Sequence, residues 1–181
     1  VVYAGVQNGG LFKTVDGGAS WERAEDGLSN RFIRALAIDP SDTQTVYAAT
    51  NGRGVFKSSD GGASWEPAAS GLRQINQTAM SLAPSDAAVI YAVSEAGIDV
   101  SEDGGASWRV ATGDIVFPRA QSVAVHPENA AAALVGVQAP AGGFYRTDDL
   151  GAMWTAANGN LGDGAAGGVV AFDPGDPSVI Y

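Results

Sequence analysis

Carboxylates are the side chains of this 181-residue chain that could most readily do chemistry. Hydrolysis of a glycosidic bond needs two carboxyl groups about 5–9.5 Å apart across the sugar, and the chain has 20 Asp and Glu residues. Three of them, Asp99, Asp114 and Asp163, lie in or beside predicted loops, where ligand contacts concentrate. They are the candidate catalytic residues. No two of them stand out as a pair, and for each the alternative is a solvated surface charge.

Arginines lie in or beside the same predicted loops. The guanidinium group is a planar fork that binds a carboxylate through two parallel hydrogen bonds. The residues concerned are Arg31, Arg34, Arg53, Arg73 and Arg119. They predict a polar binding face, and the alternative is that they only solubilise the ends of the strands.

Other catalytic and metal-binding chemistry is poorly represented. The one histidine, His126, lies at a predicted turn before Pro127, so a turn role is favoured over that of a catalytic base. A single imidazole excludes a metal site built from several histidines. The chain has no Cys, which excludes thiolate ligands and disulfides. We therefore predict no metal and no cofactor.

The overall charge restricts the partners. The formal net charge is −10, whereas proteins that bind nucleic acids are usually basic. The longest apolar run, Ala130–Val137, is too short to span a bilayer. With 45% hydrophobic residues the chain can still bury a sizeable core. The expected partner is a protein or a polysaccharide, with no nucleic acid and no membrane span.

The chain is organised by an internal repeat, because three motifs recur in the same phase. The first ends in a tryptophan, and the tryptophans follow one another at steps of 44, 43 and 46 residues: Trp21, Trp65, Trp108 and Trp154. The second is a Val/Ile-Tyr pair, and the third is an apolar run that ends in Pro. The repeats span about 1–31, 32–77, 78–119 and 120–166, with a partial repeat at 167–181.

Each period contains four short runs that favour strands. In the second period they are Phe32–Ile38, Thr45–Thr50, Gly54–Ser58 and Ser64–Pro67. Each run has the length of a strand, is rich in β-branched and aromatic residues, and is bounded by Gly, Pro, Asn or Asp. Four strands in about 44 residues are typical of one propeller blade. We therefore predict an all-β fold, a β-propeller of four-stranded antiparallel blades, with about four blades in the chain.

We name the strands of a blade A to D from the inside outwards. The chain is expected to begin at a B strand, Val1–Gly5. An A strand at Gly168–Phe172 and the first residues of a B strand at Ser178–Tyr181 are expected at the other end. The four predicted blades would then form part of a ring, which further blades or a second copy of the chain would complete.

The tryptophan motif fits the pattern Ser/Thr-x-Asp-x-Gly-x-x-Trp in all four repeats. The matches are Thr14–Trp21, Ser58–Trp65, Ser101–Trp108 and Thr147–Trp154. The pattern resembles the Asp-box, or bacterial neuraminidase repeat. The segment Asp39–Trp65 is similar to the propeller repeats of sialidases, two-domain xyloglucanases, sortilin-type receptors and photosystem-assembly factors.

The resemblance and elementary chemistry both favour a structural role for these motifs. An Asp carboxylate can accept hydrogen bonds from its own turn, Gly can adopt a positive φ, and Trp provides a large apolar anchor. The residues expected to play this role are Asp16, Trp21, Asp60, Trp65, Asp103, Trp108, Asp149 and Trp154. The functional alternative, catalytic or metal-binding aspartates, would not require one copy in every blade.

Two functions remain open at this stage. One is an exported or cell-surface propeller, extracellular or periplasmic, that binds a protein or glycan as a scaffold. The other is part of a β-glucan or xyloglucan hydrolase. Sialidase activity is not supported, because Phe117-Pro118-Arg119 does not match the arginine motif of that family. All four tryptophans belong to the repeated motifs, which leaves few aromatic side chains for a sugar platform.

Overall fold

The computed structural model describes residues 1–6, 8–113, 119–138, 142–161 and 168–181. Within these ranges the chain forms 15 β-strands, in four antiparallel sheets, and no helix. The first sheet contains β1 (Val2–Val6), β2 (Gly10–Thr14) and β3 (Glu22–Arg23). The second contains β4 (Ile33–Ile38), β5 (Val46–Thr50), β6 (Gly54–Ser58) and β7 (Glu66–Pro67). The third contains β8 (Gln77–Ala83), β9 (Asp86–Ser94), β10 (Gly97–Ser101) and β11 (Arg109–Val110). The fourth contains β12 (Ala120–His126), β13 (Asn129–Val137), β14 (Gly143–Thr147) and β15 (Thr155–Ala156).

Within every sheet the strands are neighbours in the order in which the chain makes them. The three four-stranded sheets therefore run A, B, C, D, and the first sheet runs B, C, D. This is the meander of a propeller blade, so the predicted fold class is confirmed. The predicted runs of the second repeat agree with the observed strands, with small shifts at their ends.

The B strands of the second to fourth sheets are largely buried. Every residue of β5, Val46–Thr50, is buried, because the sheets before and after it cover both of its faces. A strand covered on both sides has no polar face, which explains why these runs are apolar without alternation. The hairpin that follows β5 turns through Gly52 and Gly54, whose φ angles are 114° and 73°.

The core is divided into layers between successive sheets. Between the first and second sheets, Leu11, Ala24, Val46, Phe56 and Trp65 form one buried cluster. Equivalent clusters lie between the second and third sheets and between the third and fourth sheets. Each sheet therefore depends mainly on its immediate neighbours for burial.

The A strands share an irregularity at one end. In β4 the pairing with β5 shifts between Ile33 and Ala35, and β8 and β12 show the same shift at the equivalent position. A β-bulge of this kind re-aims one side chain, and in β4 that side chain is Arg34.

The predicted final A and B strands form a short antiparallel pair. Phe172 bridges Ile180, and the backbones of Ala171 and Tyr181 exchange hydrogen bonds of 2.9 and 3.0 Å. The pair lies beside β12, since Ser122 Oγ donates to the Gly168 carbonyl over 2.6 Å. At the other end, β1 has no A strand beside it in the described chain, and several of its side chains are exposed.

Candidate binding face

The connections between strands segregate to the two ends of the sheets. At one end, B–C turns contact D–A connections: the Gly52 amide donates to the Ile75 carbonyl over 2.9 Å. At the other end, A–B turns contact C–D connections: the Gly61 amide donates to the Gln44 carbonyl over 2.8 Å. These two ends differ sharply in charge.

We call the end with the B–C and D–A connections the arginine face. It carries six of the eight arginines of the chain: Arg23, Arg31, Arg34, Arg53, Arg73 and Arg119. The acidic residues described on this face are Glu25, Asp26, Glu95 and Asp99. The predicted binding arginines therefore all lie at one end of the molecule.

We call the opposite end, with the A–B and C–D connections, the carboxylate face. Its basic residues are Lys13, Lys57, Arg109 and Arg146. Its acidic residues are Asp16, Glu22, Asp39, Asp42, Asp60, Glu66, Asp86, Glu102, Asp103, Glu128, Asp148, Asp149, Asp173 and Asp176. The net negative charge of the chain is therefore concentrated on this face.

One ion pair on the arginine face joins the second and third sheets, and its carboxylate is buried. Arg73, in the D–A connection after β7, donates from Nε to Asp99 Oδ1 on β10 over 3.0 Å. The same guanidinium donates from Nη2 to the Ile98 carbonyl over 3.0 Å. The Asp99 side chain is 1% exposed and that of Arg73 is 30% exposed. Asp99 Oδ2 is buried without a hydrogen-bond partner in the described structure.

Asp99 is buried, so it is not the solvated surface charge that was the alternative to a catalytic role. Burial raises the pKa of the Asp99 carboxyl, while the hydrogen bond and the positive charge of Arg73 oppose that rise. Because the carboxylate is enclosed and bonded to Arg73, it does not present an oxygen to a ligand. The other two candidate catalytic residues, Asp114 and Asp163, lie outside the described residues.

A second carboxylate binds arginines at the first sheet. Glu25 Oε1 accepts from Arg23 Nη1 over 2.8 Å and from Arg31 Nη2 over 3.3 Å. Glu25 Oε2 is buried without a partner in the described structure. The sequence did not single out Glu25, because its role depends on the D–A connection folding back over Gly10.

The remaining predicted arginines project from turns and bulges. Arg53 is in the B–C turn of the second sheet, and Arg34 is at the bulge of β4. Arg119 precedes β12 with a φ of 64°, and its carbonyl accepts from the Gln138 amide over 3.2 Å. All three are exposed, and no ion pair involves them in the described part of the chain.

Polar side chains that the sequence analysis did not single out fix this face. Asn30 Nδ2 donates to the Asn51 carbonyl over 2.8 Å, and Asn30 Oδ1 accepts from the Phe32 amide over 2.7 Å. Gln77, which is buried, donates to the Gln74 carbonyl. An Asn or Gln at or before the start of a strand is common in loops, so the sequence alone could not identify Asn30 and Gln77 as residues that fix this face.

The four Ser/Thr-x-Asp motifs form closely similar turns on the carboxylate face, which we call the aspartate turns. In the second sheet, Asp60 Oδ1 accepts from the Ser64 amide over 2.8 Å and from Ser58 Oγ over 2.7 Å. Asp60 Oδ2 accepts from Ser64 Oγ over 2.6 Å. The hydrogen bonds from Ser64 and Ser58 lower the pKa of Asp60 from 3.8 to about 2.

The other aspartate turns repeat this pattern. The bonds from Ser107 and Ser101 lower the pKa of Asp103 to about 2. The pKa of Asp16 is lowered by Ser20 and Thr14. In the fourth turn Met153 replaces the serine, and its backbone amide is the main cause of the lowered pKa of Asp149. In the first three turns both carboxylate oxygens accept hydrogen bonds from their own turn, which leaves little capacity for a ligand.

The tryptophans of these motifs connect one sheet to the preceding one. Trp65 Nε1 donates to the Ala24 carbonyl over 2.8 Å, and Trp108 Nε1 donates to the Ala68 carbonyl over 2.8 Å. Trp154 makes the same bond to Ala111 over 2.7 Å. Trp21 belongs to the first sheet and is 43% exposed.

Contacts in the other direction complete each connection. Tyr3 Oη and Lys13 Nζ both donate to the Gly61 carbonyl in the next sheet, each over 2.7 Å. Tyr47 Oη and Lys57 Nζ bond in the same way to the Gly104 carbonyl. Each pair of neighbouring sheets is thus tied by hydrogen bonds given in both directions.

Other site types find no support in the described ranges. No group of three or more His, Cys, Asp and Glu residues there could hold a metal ion, and no helix there is long and apolar enough to cross a membrane. His126 contacts Phe172 edge-on, with 5.2 Å between ring centroids, and its Nδ1 accepts from the Glu128 amide. A groove of about 400 Å³ between the second and third sheets lies at the carboxylate face, away from the arginines.

Comparison with known proteins supports the fold. No family model matches the chain, and no curated protein matches it. A GH74 enzyme from Niastella koreensis is similar in structure, with a TM-score of 0.72 and 22% identity over 94% of this chain and 31% of that protein. A GH74 xyloglucanase from Xanthomonas campestris has a TM-score of 0.75 and 20% identity over 94% and 30%. YCF48 bound to a D1 peptide has a TM-score of 0.58 and 20% identity over 72% and 42%.

The chain therefore spans about a third of the length of the two enzymes and less than half of YCF48. At this level of identity the similarity establishes a β-propeller and no activity. The narrower resemblance to the Asp-box family stays a prediction.

Proposed function

We propose that this chain is a binding propeller whose arginine face recognises an acidic segment of a partner protein. The observation that carries the proposal is the segregation of charge. In a chain with a net charge of −10, six of the eight arginines lie at one end and 14 of the 18 described acidic residues lie at the other. Such an arrangement attracts and orients an anionic partner toward one face.

A protein partner is favoured over a glycan by the use of the aromatic residues. Sugar rings usually stack on exposed aromatic side chains, and three of the four tryptophans, Trp65, Trp108 and Trp154, are buried between sheets, whereas Trp21 is exposed. Arginine suits the carboxylates of Asp, Glu and a chain terminus, which it binds through two hydrogen bonds. We place this binding outside the cytoplasm, in an extracellular or periplasmic setting, as the family resemblance implies.

The hydrolase alternative rests on the similarity to GH74 enzymes alone. Asp99, the candidate catalytic residue that lies within the described chain, is enclosed and bonded to Arg73. A release assay for reducing ends on xyloglucan and β-glucans tests this alternative. Activity that is lost in Asp114→Asn or Asp163→Asn would replace the binding proposal with a hydrolase.

The binding proposal is tested with a fluorescently labelled octaglutamate peptide and fluorescence anisotropy. We expect saturable binding that weakens as the salt concentration rises, because exposed charges are screened. An octalysine peptide should not bind the arginine face. A hyaluronan octasaccharide is the third arm, and a preference for it over octaglutamate would reassign the partner to an acidic glycan.

Matched charge reversals locate the binding. Arg53→Glu on the arginine face should weaken octaglutamate binding about three- to tenfold, the range expected for reversing one exposed charge. Arg146→Glu changes the net charge equally but lies on the carboxylate face, so it is the control and should leave binding nearly unchanged. Equal losses in the two variants would contradict a specific arginine face.

A further inference from the structure

We propose that Arg73 is the residue that reads a carboxylate of the partner and that Asp99 is its positioning residue. This inference rests on the proposed function and assigns a specific contact within it. Arg34, Arg53 and Arg119 are exposed and form no ion pair in the described chain, and Arg31, which bonds Glu25, has a side chain that is 63% exposed. Arg73 is the one whose guanidinium is held by a buried carboxylate.

The geometry leaves one edge of the guanidinium for a ligand. Asp99 Oδ1 engages Nε, and the Ile98 carbonyl engages Nη2, both over 3.0 Å. Within the described residues, Nη1 makes no hydrogen bond, and the side chain is 30% exposed. A guanidinium fixed at two of its nitrogens loses little conformational freedom when a carboxylate binds the third, which favours affinity.

The repeat itself shows that this pair is a local addition. The C-strand position of Asp99 is occupied by Phe12, Phe56 and Tyr145 in the other sheets. The D–A position of Arg73 is occupied by Ser29 in the first repeat, since Gly27-Leu28-Ser29 and Gly71-Leu72-Arg73 form the same turn. Phe56 is 2% exposed in the apolar layer beside the first sheet.

Both departures occur at one place between the second and third sheets. A buried charge and its partner are costly to desolvate, and replacing such a pair with apolar residues often stabilises a protein. The fold does not need the pair, because the first and second sheets have Ser29 and Phe56 at these positions and still form a buried layer that includes Phe56. An ion pair that the packing of the sheets does not require is typical of a functional site, and here Arg73 would be the recognition residue and Asp99 the residue that positions it.

The test is a double variant that restores the pattern of the other interface, Arg73→Ser with Asp99→Phe. We expect it to fold with a thermal midpoint equal to or above that of the native chain. Octaglutamate affinity should fall about tenfold or more, the usual effect of losing a hydrogen-bonded charge. A native affinity in the folded double variant would overturn the proposal.

Two conservative single variants separate positioning from stability. Asp99→Asn keeps the shape but removes the charge that holds Arg73, and Arg73→Lys keeps the charge but removes the fork. Both variants should bind the peptide more weakly than the native chain when binding is measured well below their unfolding temperatures. Arg73→Lys should bind the peptide more tightly than a third single variant, Arg73→Ser. If both variants bind octaglutamate normally although their stability changes, the pair is structural and the inference is wrong.

The same experiment distinguishes failure of the inference from failure of the proposed function. If the native chain binds neither octaglutamate nor hyaluronan at low salt, the binding function itself is wrong, and the assignment of Arg73 is overturned with it. If the native chain binds and Arg53→Glu weakens binding, but the double variant does not, only the role of Arg73 is wrong.

Discussion

At the residue scale, the aspartate turns show how four carboxylates are used for local structure. Asp60 and Asp103 each accept three hydrogen bonds from side chains and a backbone amide of their own turn. A carboxylate bonded in this way favours its charged form, so the pKa of each falls to about 2 from an ordinary value of 3.8. The turn and the ionised state therefore stabilise each other.

The pH dependence of stability follows from the direction of these shifts. Because the pKa of Asp103 is lower in the folded chain, its contribution is complete above about pH 4 and is lost as pH falls toward about 2. Urea unfolding midpoints measured from pH 7 to pH 2 should decline over that range. The Asp103→Asn variant should be less stable than the native chain at pH 7, and its stability should fall less than that of the native chain on acidification. Asp26→Asn, which removes a carboxylate without a hydrogen bond in the described structure, is the control, and an identical pH profile for both variants would contradict the argument.

At the scale of elements, the tryptophans hold neighbouring sheets together. Trp108 is 6% exposed, packs in the layer between the second and third sheets, and donates a hydrogen bond to Ala68. Trp21 has the same place in its own sheet and is 43% exposed. The same residue type thus occurs with and without a covering sheet.

This difference predicts unequal costs for the same substitution. Trp108→Ala should destabilise the chain by about 3–5 kcal/mol, as for a buried aromatic side chain. Trp21→Ala should cost far less, because much of its surface is already in water. Unfolding by guanidinium, followed by circular dichroism, measures both. Equal costs would mean that Trp21 is covered in solution.

The elements were more predictable from the sequence than the candidate site. Strand positions follow from apolar runs and turn residues that recur in phase, so β4 to β7 were anticipated within a few residues. The Arg73–Asp99 pair joins residues 26 positions apart, one in the connection after the second sheet and one in the third sheet, and no local pattern encodes such a contact. Asp99 was singled out as a loop-proximal carboxylate, but its burial depends on the neighbouring sheet and could not be inferred.

At the scale of the whole molecule, burial and charge are both unevenly distributed. The B strands β5 and β9 are largely enclosed by sheets on both sides, while β1 is exposed along much of its length. In an array of sheets that are each buried only by their neighbours, we expect local unfolding to begin at the sheet that is least covered.

Hydrogen exchange measured by mass spectrometry tests this gradient. Amides of β1 (Val2–Val6) should exchange much faster than those of β5 (Val46–Thr50), although both are B strands of the same pattern. A peptide from β9 is the internal reference for slow exchange. Protection of β1 equal to that of β5 would show that another surface covers the first sheet in solution.

The hydrogen bonds between neighbouring sheets follow the same order along the chain, and this order bears on how the number of sheets can change in evolution. A sheet reaches backward with its tryptophan and forward with its tyrosine and lysine, as Trp65 and Tyr47 do in the second sheet. One repeat therefore encodes both the side-chain donors and the backbone acceptors that join neighbouring sheets. A duplicated or deleted repeat would find these backbone acceptors and side-chain donors on either side, so gene duplication can change the number of sheets while keeping the hydrogen bonds that join them.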